Sequence, residues 1–150
     1  MDAIDRKILA ELQKDGRLSI TELGERVGLS LSPCQRRVRA LEQAGVISGY
    51  RAEINTSSVG LDFSAIVFVT LKEANVKSIQ AFEAALHLVP EITQAERLFG
   101  DPDYMLHVVT QDLSAFQALY DRSLSTLPGV LRLTSTLVMK SVFENRPLPL

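Results

Sequence analysis

The chain has little of what catalysis, metal binding or a membrane would require. Its single cysteine, Cys34, cannot form an internal disulfide. Its two histidines, His87 and His107, have no cysteine or second histidine at metal-ligand spacing, so no metal ligand is assigned and both read as surface or edge residues. The longest uninterrupted apolar run, Ala65 to Val69, falls far short of the roughly 20 residues that span a bilayer. Met1-Asp2-Ala3-Ile4-Asp5-Arg6 is charged from the start, unlike a secretory signal. The expectation is a soluble cytoplasmic protein with no membrane partner. No nucleophile elbow, phosphate loop or dinucleotide fingerprint occurs, so no catalytic residue and no cofactor is assigned. Solenoid-period repeats and low-complexity segments are also missing.

An excess of either charge is lacking too. Sixteen Lys/Arg stand against 18 Asp/Glu, a formal net charge of −2, which excludes binding nucleic acid through bulk charge. The distribution is uneven: residues 1–55 hold nine Lys/Arg and eight Asp/Glu, and the remainder holds seven and ten. Any DNA affinity must therefore come from a local patch, presented several times over by an oligomer.

What is present is organised around Gly28 to Gly45, G-L-S-L-S-P-C-Q-R-R-V-R-A-L-E-Q-A-G. The pattern predicts a turn and one short helix, with Ser32 as N-cap, Pro33 at the first helical position, Gln35 closing a capping box and Gly45 as the stop. Cys34, Val38 and Leu41 cluster on one face, whereas Arg36, Arg39 and Gln43 point the opposite way with Ser32 and Gln35 beside them. Arg37 lies at the margin of the core face, within reach of a phosphate or of a carboxylate of its own domain. Just upstream, Ser19-Ile20-Thr21-Glu22 is another capping box, and Ile20, Leu23 and Val27 follow at helical spacing up to Gly28. Leu29 then plugs the corner. Two short helices, a glycine turn and a polar second helix make a helix-turn-helix, which places that second helix in a DNA major groove.

A first helix is expected from about Asp2 to Lys14, with Ile4, Ile8, Leu9 and Leu12 as its apolar stripe and Asp15-Gly16 as its end. Val46 to Ile54 reads as extended, a β-wing followed by a strand. The turn formers Asn55 to Gly60 mark the boundary between a head, 1–55, and a second domain, 61–150. In that second domain Ala65, Val67, Val69 and Leu71 share one side of a strand, and Ile66, Phe68, Thr70 and Lys72 the other. A helix from about Val76 is closed by Pro90. Strands over Ile92–Phe99 and Tyr104–Thr110 flank the turn Gly100-Asp101-Pro102-Asp103. A helix capped by Asp112 carries Phe116, Leu119, Tyr120, Leu124 and Leu127, and Val130–Lys140 is the fourth strand. The order βαββαβ is a ferredoxin-like sandwich, so the fold class is α+β, a winged helix-turn-helix followed by that sandwich. Ile66, Phe68, Leu106 and Val108 suggest apolar residues on both sheet faces. An uncovered apolar face calls for a partner, most simply a second copy.

Specific motifs carry a family resemblance over nearly the whole chain. They are I-D-R-K-I-L (Ile4 to Leu9), L-Q-K-D-G-R (Leu12 to Arg17), V-G-L-S (Val27 to Ser30), S-P-C followed by R-V (Ser32 to Val38) and G-V-I-S-G-Y (Gly45 to Tyr50). Downstream come G-D-P-D-Y (Gly100 to Tyr104), L-P-G-V (Leu127 to Val130) and T-S-T (Thr134 to Thr136). With these the chain resembles the leucine-responsive regulator/AsnC (Lrp/AsnC, feast/famine) family of transcription factors; Ser141 to Leu150 match no motif of it. The resemblance implies double-stranded DNA as one partner and an amino-acid effector as another. It also implies homodimers paired through their sheets and assembled further, up to octamers.

On this resemblance the DNA-facing residues are Ser30, Ser32, Gln35, Arg36, Arg37 and Arg39. The effector site lies near the turn, with Gly100 leaving backbone N–H groups open to approach and Asp101 and Asp103 as acceptors for the ammonium. Thr134, Ser135 and Thr136 supply hydroxyls for the carboxylate, and Leu98 and Tyr104 help form the wall. Two alternatives share the fold: an architectural DNA-wrapping protein without effector, and a sirohaem-decarboxylase-like enzyme. The second is at odds with the retained Arg36, Arg37 and Arg39.

Overall fold

Three short helices open the chain in the computed structural model, which describes residues 1–150: α1 (Ala3–Lys14), α2 (Ile20–Val27) and α3 (Leu31–Gln43). Each begins where the sequence offers orphan N–H groups a partner or dispenses with one. Asp2 and Asp5 form a reciprocal capping box on α1, and Ser19 and Glu22 do the same on α2. The expected Ser32–Gln35 box on α3 does not form. That helix starts two residues earlier, capped in the backbone sense by Ser30, with no side-chain cap bond. Ser32 and Pro33 therefore lie inside the first turn, where a missing N–H costs nothing because those groups have no intrahelical acceptor. The other end is as expected: at Gly45 (φ +68°) the Val46 N–H donates to the Leu41 carbonyl at 2.9 Å and the Gly45 N–H to Glu42 at 3.0 Å. Ile8, Leu9, Leu23, Val27, Cys34, Val38 and Leu41 form the core that the three helices share.

The first unit comprises Met1–Glu53 and, returning to it, Val142–Leu150. The expected division ran the second domain to residue 150; by packing within the chain the tail groups with the head instead. The tail has little apolar periodicity of its own but offers the head one backbone and one side-chain donor: the Leu148 N–H donates to Gln13 Oε1 at 2.6 Å, and Asn145 Nδ2 donates to Glu53 Oε1 at 3.0 Å. Residues 48–54 pair in no ladder within the chain; Tyr50 folds back and donates its hydroxyl to Glu42 Oε1 at 3.0 Å.

The second unit, Ile54–Ser141, contains β1 (Phe63–Leu71), α4 (Val76–Leu86), β2 (Ile92–Arg97), β3 (Tyr104–Thr110), α5 (Leu113–Arg122) and β4 (Val130–Leu137). The strands make one antiparallel sheet in the order β2-β3-β1-β4, the ferredoxin-like arrangement. α5 stops at Arg122, short of the expected Leu127; a separate turn over Leu124–Thr126 still buries Leu124 and Leu127. β2 and β4 are also shorter than expected, ending at Arg97 and Leu137, although Leu98 and Val138 each add one more backbone bond, to Asp103 and Ser64.

Strand alternation sorts the sheet into two faces. Ala65, Val67, Val69, Tyr104, Leu106 and Val108 pack against Ile79, Phe82, Phe116 and Leu119 of the helices. Leu106 and Val108 thus belong to the covered face. The uncovered one carries Ile66, Phe68 and Thr70 of β1 with Met105, His107 and Val109 of β3, all half-buried. His107 stands on a central strand of this face and not at an edge. No helix of the unit lies over it.

Candidate functional site

On the head, α2, the Gly28 turn (φ +76°) and α3 hold a polar stripe away from the core. Ser32, Gln35, Arg36 and Arg39 recur at three- and four-residue spacing, so they lie on one helix face; all are exposed, as is Ser30 at the cap. None of them makes an ion pair within the chain. Arg37 is committed differently. One Nη1 reaches Asp2 Oδ2 and Asp5 Oδ1, each at 2.8 Å, and so ties α3 to the N-terminal end of α1. The Asp5 backbone N–H and the Arg37 guanidinium together hold the Asp2 carboxyl below the usual carboxylate range. Of the two partners open to Arg37, the structure shows the carboxylate.

On the second unit the hairpin between β2 and β3 is clamped by Asp103. Its N–H donates to the Val69 carbonyl at 2.9 Å, its carbonyl accepts from the Leu98 N–H at 2.7 Å, and Oδ2 accepts from the Leu71 N–H at 2.7 Å. Asp103 therefore shapes the turn, whereas Asp101 remains accessible. Asp101 Oδ1 accepts from the Thr70 hydroxyl at 3.2 Å and lies 3.6 Å from Arg132 Nη2. Phe68, Thr70, Asp101, Pro102, Arg132 and Thr134 line a depression of about 240 Å³. The sheet register explains the gathering, because Thr134 stands opposite Phe68 and Arg132 opposite Thr70.

Of the residues expected at an effector site, this depression brings together Asp101 and Thr134. Gly100 adjoins it in the turn, at φ +135° with nothing within 4 Å of where a Cβ would stand. Thr136 lies further along the same face opposite Ile66, while Ser135 points to the other face opposite Val67. Leu98 does not line the depression, and Tyr104 faces the helices. The Tyr104 ring stacks 4.7 Å from Phe82 and its hydroxyl donates to Glu83 Oε1 at 2.8 Å; burial and this carboxylate push its pKa up to about 12. It lines a separate groove of about 450 Å³ between α4 and β2. Thr70, Pro102 and Arg132 were not anticipated, since nothing local to those residues marks them as neighbours.

A helix-turn-helix with an uncommitted polar face on one unit and a small-molecule-sized depression on the other are the arrangement expected of a DNA-binding regulator with a ligand-binding domain. Residues 1–48 match the winged helix-turn-helix DNA-binding model and residues 64–148 the Lrp/AsnC ligand binding domain model. The chain belongs to the Lrp/AsnC family of transcriptional regulators. It is 43% identical over 150 residues to the leucine-responsive regulatory protein of Escherichia coli, an alignment covering 99% of this chain and 90% of that protein. Against the Bkd operon transcriptional regulator of Pseudomonas aeruginosa it is 39% identical, covering 100% and 98%. A transcriptional regulator from Neisseria meningitidis, solved in complex with L-Met, superposes with a TM-score of 0.94 at 36% identity, covering 99% of this chain and 96% of that one. No helix is long and apolar enough to cross a membrane.

Proposed function

We propose that the chain binds double-stranded DNA through Ser32, Gln35, Arg36 and Arg39 of α3 and senses a free amino acid in the depression beside the 100–104 turn. The observation that carries the second half is the meeting of Asp101, Arg132 and Thr134 over an apolar floor of Phe68 and Pro102. A zwitterion needs an acceptor and a donor a few ångströms apart, and an aliphatic side chain needs a dry wall. The L-Met held by the Neisseria relative supports the same ligand class.

A thermal-shift screen of the twenty amino acids tests this, since a ligand that binds only the native state raises its stability by mass action. Asp101→Ala removes the ammonium acceptor and should weaken the best amino acid about tenfold or more, a charge-assisted hydrogen bond's worth. Calorimetry showing unchanged affinity would place the effector elsewhere. No shift with any amino acid would leave a DNA-binding protein without this sensor.

The uncovered sheet face supports pairing of two copies about a two-fold axis, which presents two α3 helices to a roughly palindromic site. Ile66→Asp puts a carboxylate amid Phe68, Met105 and Val109, outside the depression, where a partner would strip its water. Sedimentation should show the wild type as a dimer or larger at micromolar concentration and the variant shifted to monomer. A wild-type monomer would contradict the pairing.

A further inference from the structure

Arg132 is the one arginine that lines the depression beside the hairpin turn. It sits on the edge strand β4, opposite Thr70, and its guanidinium leans over the depression towards the hairpin turn. There it meets two groups at the limit of contact: Asp101 Oδ1 at 3.6 Å and the Thr70 hydroxyl at 3.5 Å. Neither is a good hydrogen bond, because N–H···O bonds cluster near 2.9–3.0 Å. Both side chains remain largely in water, 61% exposed for Arg132 and 73% for Asp101. A planar fork with five donors thus stands at the mouth of a cavity, committed to no protein acceptor at good distance.

We infer that Arg132 is the carboxylate reader of this site, and that its loose pair with Asp101 is the resting form that a free α-amino acid replaces. This rests on the effector site proposed above and assigns the two ends of the ligand. Asp101 takes the ammonium. Arg132 takes the α-carboxylate two-pronged, the geometry for which a guanidinium fork is suited and an ammonium is not. The Thr70 and Thr134 hydroxyls bridge the two, and the ligand's side chain turns to Phe68 and Pro102. Since the resting pair is exposed and long, little holds it against a ligand that offers each charge a better partner. The class recognised is therefore an α-amino acid with a free carboxylate and an apolar side chain. Amides, esters and amines, which lack that carboxylate, are rejected.

The test uses the full chain, the twenty free L-amino acids and, for the one that binds tightest, its α-carboxamide. The amide keeps the ammonium and side chain but loses the carboxylate charge. Wild type should bind the acid at least about tenfold more tightly than the amide. Arg132→Gln should bind the acid about tenfold more weakly and the amide nearly as before, closing the gap to within about twofold. Arg132→Lys, which keeps charge without the fork, should recover part of it. An unliganded melting midpoint matching wild type shows that each variant is folded, as expected for an exposed side chain. Wild-type acid affinity in Arg132→Gln, or an undiminished gap between acid and amide, overturns the assignment and leaves the amino-acid site standing. No binding of any amino acid by the wild type overturns both.

Discussion

Replacing Arg36 and Arg39 together by alanine should abolish specific DNA binding without unfolding the head. Both guanidiniums are exposed on the α3 face opposite Cys34, Val38 and Leu41, and neither supports a neighbour. Alanine is at least as good a helix former as arginine, so stability should hold. A bidentate contact to a guanine edge is worth about 1–3 kcal/mol, so the pair should cost roughly 30-fold to beyond 1,000-fold in affinity for the specific site. Single substitutions separate the roles. A base-reading arginine relaxes specificity at one base pair, whereas a phosphate-contacting one weakens every sequence alike and lowers the salt slope by about one unit. Gel-shift titrations at several salt concentrations distinguish these outcomes, and unchanged binding by the double variant would remove α3 from the groove. Arg37→Ala should act through structure instead, by freeing Asp2 and Asp5 at the start of α1. The Asp2 carboxyl is held below its ordinary range, so this tie is present above the carboxylate range and fades as the pH falls through it.

The second large effect should come from Gly24, a buried residue with no side chain. It is buried in α2, and a Cβ there would stand 2.7 Å from the Leu29 carbonyl oxygen and 3.7 Å from Cys34 Cβ. The near contact is backbone, and it belongs to the turn that joins α2 to α3; the Leu29 N–H also donates to the Gly24 carbonyl at 2.8 Å. No side chain can swing away. Gly→Ala in a helix would ordinarily gain about 1 kcal/mol, and overpacking costs about 1–3 kcal/mol, so the turn must open for the variant to fold. Gly24→Ala should thus be neutral to destabilising, and Gly24→Val, with two more methyl groups towards Cys34, clearly destabilising. Both should lose DNA affinity, because moving the Leu29 peptide re-aims α3. Thermal unfolding followed with DNA titration checks this, and amino-acid binding by the second unit serves as the internal control. Wild-type DNA affinity in Gly24→Val would show that the helix-turn-helix angle is not set by this contact.

Local periodicity carried much of the architecture. The capping boxes at Asp2 and Ser19, the Gly28 and Gly45 stops and the two-residue alternation of β1 and β3 involve partners a few residues apart, so composition and spacing determine them. The polar stripe of α3 was legible for the same reason. Where local signals competed, the outcome turned on packing: Ser30 rather than Ser32 begins α3, and α5 breaks at Ser123 so that Leu124 and Leu127 reach the core by a different turn.

The depression proposed as the effector site belongs to the other category. Asp101 meets Thr70 across 31 residues of chain, and Arg132 meets Thr70 across 62. Those meetings follow from which residue of β4 stands opposite which residue of β1. A shift of one position would turn Arg132 and Thr134 to the other face, and nothing near them in sequence specifies that register. Tyr104 likewise turned inward because it is in step with Leu106 and Val108, and Asp103 was taken up by the backbone of β1. The sequence by itself determined the elements, the two units' classes and the face that α3 presents, because each depends on neighbours along the chain. Only the tertiary structure decided which charges share the depression, which arginine is held by its own domain and where the tail returns. Those are pairings between distant residues, selected by the packing of the whole unit.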